Sequence, residues 1–370
     1  MGVSVIWSSF VGFIEPKLCK KRVKPHIGNE PNASHRCIPA RGQAGRRLAH
    51  YTFRNRSGAS VAGVRTIISG EIGDTAALEP ELATPVEVVE PVGAASPLVL
   101  SSPHSGAVYP KRFLASSRLD AATLRRSEDA YVDELFAGAV ALGAPMARAR
   151  FPRAYLDVNR EPFELDPRMF EGKLPAHVNT RSLRVAAGLG TIARLVAESQ
   201  EIYARRMPAA EALHRIEAGY RPYHAALRRL TQQALKSFGV VLLVDCHSMP
   251  SHVAGVPGQG GAKADIVLGD RFGTSCDPEL TSAAEAALRS RGYVVQRNKP
   301  YAGGFITEHY GHPASHVHAL QIEINRAVYM NEATFEKGAR FSRLAEDLTA
   351  MAQALAECVG GLSSWRAAAE

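Results

Sequence analysis

The sequence predicts an α/β protein: a three-layer sandwich with helices on both faces of a mixed, mostly parallel central sheet. Two observations carry this. Short apolar runs that stop abruptly at polar residues alternate with longer segments of helical period. The plainest run, Val240–Val244, is five consecutive apolar residues ending at Asp245, as expected of a strand buried on both faces. Composition agrees, since 46% hydrophobic and 22% charged residues over 370 positions suit a globular chain able to bury a full core.

Taken in order, residues 1–85 show no sustained period and are expected to be a basic N-terminal extension, disordered or upstream of the working protein, with a targeting extension or a nucleic-acid-binding arm as lesser readings. Glu81–Ala95, rich in Pro, Val and Glu, leads into a single folded domain over 86–370. Pro97–Leu100 is an apolar run followed at once by Ser-Ser-Pro-His-Ser-Gly, a buried strand ending in a polar loop. Leu119–Leu142 is expected to be one helix, because Leu124, Val132, Leu135, Ala139 and Leu142 recur at helical spacing. Ala149–Tyr155 is a strand or extended segment. Residues 187–235 form a long helical region, ended or bent near Met207-Pro208 and at Gly219–Pro222. Further strands are expected at Val240–Val244, Asp265–Leu268, Tyr293–Gln296 and Ala319–Ile324, with helices over Cys276–Ser290 and 333–359.

Charge and cysteines exclude several classes. The net charge is +8, but residues 1–70 hold 12 Lys/Arg against only Glu15 and Glu30, while the remainder holds 32 basic and 34 acidic residues. The basicity therefore belongs to the N-terminal segment, and a body built to follow a phosphate backbone is not expected. No run of 18 apolar residues predicts a bilayer-spanning helix. The weakly hydrophobic stretch Val3–Ile14 is followed rather than preceded by basic residues, the wrong order for a signal peptide. The five cysteines are odd in number, widely spaced and form no CxxC, so a reducing compartment is expected.

Polar residues collect where the expected strands stop. His104 follows Pro97–Leu100, Asp245 and His247 follow Val240–Val244, and Glu323 alternates with Ile322 and Ile324, which puts it on the opposite sheet face from both. Two histidines and a carboxylate suit zinc, with the fourth position left for water. A separate carboxylate can then take that water's proton. Glu128 and Asp129 are alternative acidic ligands. In a helix over 119–142, Glu128 shares the face of Leu124, Val132 and Leu135, with Asp129 about 100° further round. A single histidine after a strand is more often a structural hydrogen-bonding residue, and two such loops on one sheet edge leave the two readings balanced.

Other candidates are weaker. No HExxH is present. His309, His312, His316 and His318 flank Gly311 and Pro313 and suit a surface loop better than a metal. Ser105 and Ser248 lack the G-x-S-x-G elbow, and Cys246 and His247 diverge in an extended segment. Gly255, Gly258, Gly260 and Gly261 precede Lys263 without a phosphate-binding pattern, so a flexible loop near the site is expected. Tyr301–Phe305 is a tight turn or a substrate loop. Arg160, beside Asn159, offers a bidentate fork for a carboxylate, or a structural ion pair with Asp157 or Glu161. Arg181 and Arg326 are lesser candidates of the same kind.

Taken jointly and in order, several stretches resemble the N-formylglutamate amidohydrolase family. They are Ser102–Gly106, Ser127–Asp133, Asp157–Arg160, Asp245–Pro250, Asp265–Gly269, Asn298–Gly304 and Gln321–Arg326. The resemblance covers roughly residues 95–345. It implies a fold similar to zinc carboxypeptidases and one Zn2+ ion held by His104, Asp129 and His247, with Glu128 as the alternative acid. Glu323 matches the general base, and Asn159 and Arg160 match the pair that holds the substrate carboxylate. Arg153 or Arg160 would then serve as donor to the oxyanion. The implied reaction is hydrolysis of N-formyl-L-glutamate to formate and L-glutamate, as in histidine catabolism. The expected setting is a cytoplasmic amidohydrolase acting on a small anionic N-acyl amino acid, with no nucleic-acid or membrane partner. The family's Asp-Thr-Asp motif is Ser127-Glu128-Asp129 here, a departure that bears on acyl-amino-acid specificity. Alternatives are a peptidase or deacylase of the same fold with a larger substrate, and a non-catalytic metal- or ligand-binding protein.

Overall fold

The computed structural model describes residues 53–54, 60–61, 64–68, 79–93, 95–196, 200–254 and 263–367. Most of the basic segment, with Cys19 and Cys37, and the glycine-rich loop at 255–262 lie outside these residues.

Eight of the strands build the central sheet: β1 Val64–Ile68, β2 Val86–Pro91, β3 Leu98–Ser102, β4 Met146–Ala149, β5 Val241–Met249, β6 Ile266–Gly269, β7 Val295–Arg297 and β8 Val317–Asn325. Their order is β7-β6-β8-β5-β3-β4-β2-β1. The pairs β7–β6, β8–β5, β5–β3 and β3–β4 are parallel. The pairs β6–β8, β4–β2 and β2–β1 are antiparallel. The stretch expected as a lead-in thus supplies strand β2, and the segment expected as an extension supplies β1 at the sheet edge.

Besides the short helices Lys111–Ser116 and Leu183–Ala186, the helices among the described residues are α1 Ala121–Arg125, α2 Val132–Leu135, α3 Ala137–Ala141, α4 Ala209–Arg215, α5 Arg221–Phe238, α6 Pro278–Arg289, α7 Phe305–Tyr310 and α8 Phe341–Ala367. Strand alternation separates two cores. Leu242, Val244 and Cys246 face α2, α3, α6 and α8, packing with Leu280, Leu344 and Leu348. Val241 and Leu243 face α4 and α5, packing with Tyr223, Leu227 and Leu230. All nine β5 residues are buried, which is why this strand was plain in the sequence. Among the described residues no helix is long and apolar enough to cross a membrane.

Three helical expectations are corrected. The helix over Leu119–Leu142 is broken into α1, α2 and α3, and Tyr131 sits at φ 66°. Its apparent stripe serves both cores: Leu124 packs on the α5 side, Val132 and Leu135 on the α8 side. Between them the Asp129 N–H donates to the His104 carbonyl at 3.0 Å instead of continuing a helical ladder. The helix expected from residue 187 begins only at Ala209, because Gly188 at φ 76° and a small hairpin, Leu195–Val196 with Gln200–Glu201, occupy the earlier part. Pro222 does not end the helix: a π-helical turn, Ile216–Tyr220, carries the chain from α4 into α5. Residues 150–155 form turns after β4, not a strand.

The loop after β3 holds its shape by close approach. A Cβ on Gly106 would fall 2.2 Å from the Phe151 carbonyl oxygen and 2.6 Å from the Arg150 carbonyl carbon, both backbone atoms. We expect Gly106→Ala to lower stability by about 1–3 kcal/mol, read as a shift in the urea midpoint. An unchanged midpoint would show that this loop moves aside freely.

Candidate metal centre and active site

Two parallel strands and the loops beyond them bring the site residues together. His247 lies on β5, opposite Glu323 in the β5–β8 register. His104 comes from the loop after β3, and Asp129 from the loop between α1 and α2. Asp129 is gathered with the histidines, and Glu128 is not. One Glu128 oxygen accepts the Tyr109 hydroxyl at 2.6 Å and the other faces Arg125 at 3.3 Å.

Asp129 Oδ2 lies 3.0 Å from His247 Nδ1 and 3.3 Å from His104 Nδ1. These three residues are buried, and among the described residues they are the one group of His, Cys, Asp or Glu converging as metal ligands. Each imidazole is fixed from behind. His104 Nε2 pairs with Asp157 Oδ1 at 2.8 Å, and His247 Nε2 with Asp245 Oδ2 at 2.9 Å. A metal-binding histidine characteristically gives its second nitrogen to a carboxylate, which leaves the first as the ligand atom. Here both Nδ1 atoms point at one carboxylate oxygen, and the His104 Nδ1 has no hydrogen bond. The residues therefore fit a divalent cation.

The electrostatics follow from burial. Burial alone would raise the Asp129 carboxyl, but His104 and His247 outweigh it and hold Asp129 well below the usual carboxylate range. Burial likewise opposes charge on His247, yet Asp245 and Asp129 push its imidazole well above the usual histidine value. A cation would displace that proton. Asp157 is also driven low against burial, by Arg160, Arg153 and His104. Glu323 differs. Burial pushes it up to about 7, with Asp129 adding to the rise against His247, Arg153 and Arg326. Gln321 donates to its Oε1 at 2.9 Å, while its Oε2 is buried without a partner.

Asn159 Nδ2 lies 3.1 Å from His247 Nε2 and 3.3 Å from Asp245 Oδ2, and its Oδ1 accepts the Ile306 N–H at 2.8 Å. The Asn159 amide thus donates to the Asp245 oxygen that backs His247, and it also lines the cavity. Arg153 Nε donates to Asp157 at 3.0 Å. Arg160 donates to the Leu189 and Asn159 carbonyls at 2.9 and 2.8 Å and lies 3.7 Å from Asp157. The loop segment 157–160 is gripped from the helical layer. Tyr220 of the π-helical turn donates to the Arg160 carbonyl at 2.7 Å, and His224 Nε2 lies 2.8 Å from the Val158 carbonyl.

Other sequence candidates fall elsewhere. His309 packs against Phe305 and His224, and His318 Nδ1 accepts the Asp277 N–H at 3.2 Å. The four histidines of that stretch do not join the metal group. Cys246 points into the α8-side core, and Ser105 meets Ser102 at 2.6 Å. Ser248 donates to Asp129 at 3.2 Å. Arg326 is more involved than expected: Nη2 donates to Asp129 Oδ1 at 3.1 Å and Nε to Ser248 at 3.2 Å. Tyr301 to Gly304 line the cavity, and the Gly304 N–H donates to Gln321 at 2.7 Å. Sequence reasoning missed Asp157, Asp245 and Gln321 as the groups that orient His104, His247 and Glu323. For the last two a signal existed, since Asp245 and Gln321 each stand two residues ahead of their partner on the same strand face.

Comparison with known proteins agrees with this geometry. Residues 96–330 match the family model described as N-formylglutamate amidohydrolase. The N-formylglutamate deformylase of Pseudomonas putida is 30% identical over 239 residues, covering 64% of this chain and 82% of that protein. The deformylase of Pseudomonas aeruginosa is 30% identical over 272 residues, covering 73% and 93%. The crystal structure of N-formylglutamate amidohydrolase from Ralstonia eutropha JMP134 shares 39% identity at a TM-score of 0.70, covering 74% of this chain and 98% of that one. With the family model matched across the strands and loops that carry the site, this chain belongs to the N-formylglutamate amidohydrolase family.

Proposed function

We propose that this protein hydrolyses the amide bond of N-formyl-L-glutamate to formate and L-glutamate, with one zinc ion bound by His104, Asp129 and His247. The observation that carries the reading is Glu323. It is a buried carboxyl with one unpartnered oxygen, set opposite His247 across two paired strands and poised to titrate near neutrality. A protein that only binds a metal has no need of such a group beside its ligands.

Zinc bound there would supply Lewis acidity, toward both a water and the formyl carbonyl. Glu323 Oε2 accepts the proton of the attacking water and then delivers it to the leaving amine. A carboxyl raised to about 7 can do both, because it is close in proton affinity to its working pH. Gln321 keeps Oε1 occupied, so that Oε2 is the oxygen that faces the proton. Arg153 is anchored through Nε to Asp157 and lines the cavity, which leaves its outer nitrogens for the developing oxyanion. Arg160, with Asn159 beside it, takes the α-carboxylate. Its Nε and Nη1 are fixed by backbone carbonyls, so the fork is already oriented when substrate arrives. The carboxylates behind the two histidines hold the ligand nitrogens without a rearrangement on binding.

The direct test is a hydrolysis screen of N-formyl, N-acetyl and N-succinyl amino acids with zinc-loaded protein. N-formyl-L-glutamate should be the best substrate, and cleavage of peptides alone would overturn the assignment. Glu323→Gln should lose about 10²- to 10⁴-fold in kcat while retaining zinc, and wild-type turnover in that variant would remove Glu323 as the base. His247→Ala should lose its metal by elemental analysis of dialysed protein. Full zinc occupancy there would make His247 a structural residue.

A further inference from the structure

Beyond the metal ligands, Glu323, Arg153 and Arg160, the cavity carries a further cation that the mechanism does not use. Arg184 lines it on the same wall as Arg160. The two are joined through one residue: the Leu189 N–H donates to the Arg184 carbonyl at 2.8 Å, and the Leu189 carbonyl accepts Arg160 Nε at 2.9 Å. Arg160 has its Nε and Nη1 tied to backbone. Arg184 is held differently. Its nearest acid is Glu164, 3.7 Å away, beyond hydrogen-bond distance, and its guanidinium makes no hydrogen bond among the described residues. The side chain is 34% exposed and lines the cavity. Two like charges on one short stretch of wall repel each other, and Arg184 lowers the proton affinity of Arg160, behind burial and Arg153 and against Asp157.

The surface of the same wall is apolar, formed by Ala187, Leu189, Ala193, Leu195 and Val196. A wall with two separate guanidiniums and small apolar side chains fits a ligand with two carboxylates joined by methylenes. A ligand with a single carboxylate would satisfy Arg160 and leave the hydrogen-bond donors of Arg184 unused, with only Glu164 at 3.7 Å to balance its charge.

We propose that Arg184 is the specificity residue that recognises the side-chain carboxylate of an acidic amino acid, while Arg160 takes its α-carboxylate. This rests on the proposed reaction for the direction in which the substrate lies, and it assigns a selectivity that the reaction alone does not need. An amide or an alkyl side chain on the same amino acid would be cleaved by the same machinery and refused only by Arg184.

The test uses binding of the product amino acid to the zinc-loaded full chain, which does not depend on turnover. Wild-type protein should bind L-glutamate more tightly than L-glutamine by about tenfold to a hundredfold, the size expected of a charge-assisted fork. Arg184→Met should abolish that preference by weakening L-glutamate binding and leaving L-glutamine affinity within about twofold. Arg184 lies on a four-residue helix, Leu183–Ala186, and its removal also takes the cation from beside Glu164, so an unchanged urea midpoint checks that the fold is kept. Arg126→Met is the second variant, since Arg126 also lines the cavity, next to Ser127 on the Asp129 side. The preference should survive there. A preference kept in Arg184→Met, lost in Arg126→Met instead, or absent from wild type would overturn the proposal. Failure of the reading of the reaction is seen separately, as absence of N-formyl-L-glutamate hydrolysis in a protein that still discriminates the two amino acids.

Discussion

Everything at this site depends on four buried carboxylates, Asp129, Asp157, Asp245 and Glu323, packed around two imidazoles at the carboxyl ends of parallel strands. Isolated carboxylates cannot be buried in a low-dielectric interior without compensation. Arg153, Arg160 and Arg326 provide part of it, and a proton on His247 provides more in the protein without metal. Three guanidiniums against four carboxylates leave one negative charge when the imidazoles are neutral and Glu323 is ionised. That residue of charge, concentrated on Asp129 between two imidazole nitrogens, is what a divalent cation satisfies. The same imbalance explains why Glu323 is pushed up to about 7 while Asp129 and Asp157 are pulled low. The cluster holds Asp129 and Asp157 ionised beside their cationic partners and leaves Glu323 ready to take a proton.

The fold determines which acid is which. In parallel pairing β5 and β8 run side by side with Asp245 opposite Gln321 and His247 opposite Glu323. Alternation then puts all four on the face toward α5, and Cys246, Ile322 and Ile324 on the face toward α8. One strand position thus separates an apolar core from a charged site. A shift of one residue in the register would bury the site's charges in the α8-side core and expose its isoleucines to the cavity. The π-helical turn serves the same arrangement from the helical layer, since it places Tyr220 and His224 against the carbonyls that flank Asn159.

Much of this was legible in the sequence, and the reasons for the rest are physical. Val240–Val244 and Ala319–Ile324 declare themselves because a strand buried on both faces needs unbroken apolar residues or strict alternation. Those strands put His247 and Glu323 at the correct edge without any structure. The α1–α3 region was not legible. Leu124, Val132 and Leu135 obey a helical period, yet they belong to two cores on opposite sides of the sheet, and periodicity cannot reveal which layer a side chain enters. The choice between Glu128 and Asp129 was open for the same reason, since it turns on the hydrogen bond from Asp129 N–H to the His104 carbonyl, a contact between residues 25 apart in the chain. Asp157 was visible only as an ion-pair partner of Arg160. Its role behind His104 joins two loops that share no sequence signal.

The distribution of charge along the chain now has a structural meaning. The 12 basic residues of positions 1–70 make the whole chain basic, while the part that carries the site is close to neutral with 32 basic and 34 acidic residues. Long-range steering of an anion by such a body would be weak and easily screened. Discrimination must then come from contact, where a guanidinium held by backbone carbonyls meets a carboxylate at hydrogen-bond distance and out of bulk water. Arg160 is built in that way, through Leu189 and Asn159, and Asp157 beside it is already shared with His104 and Arg153. An arriving carboxylate therefore meets a fork whose charge its neighbours have only partly neutralised, at the end of a chain of contacts that leads through Asp157 to His104. On the proposed assignment, Arg160 and the ligand His104 both neighbour the same buried acid, Asp157, so a change at that acid would bear on substrate and metal together.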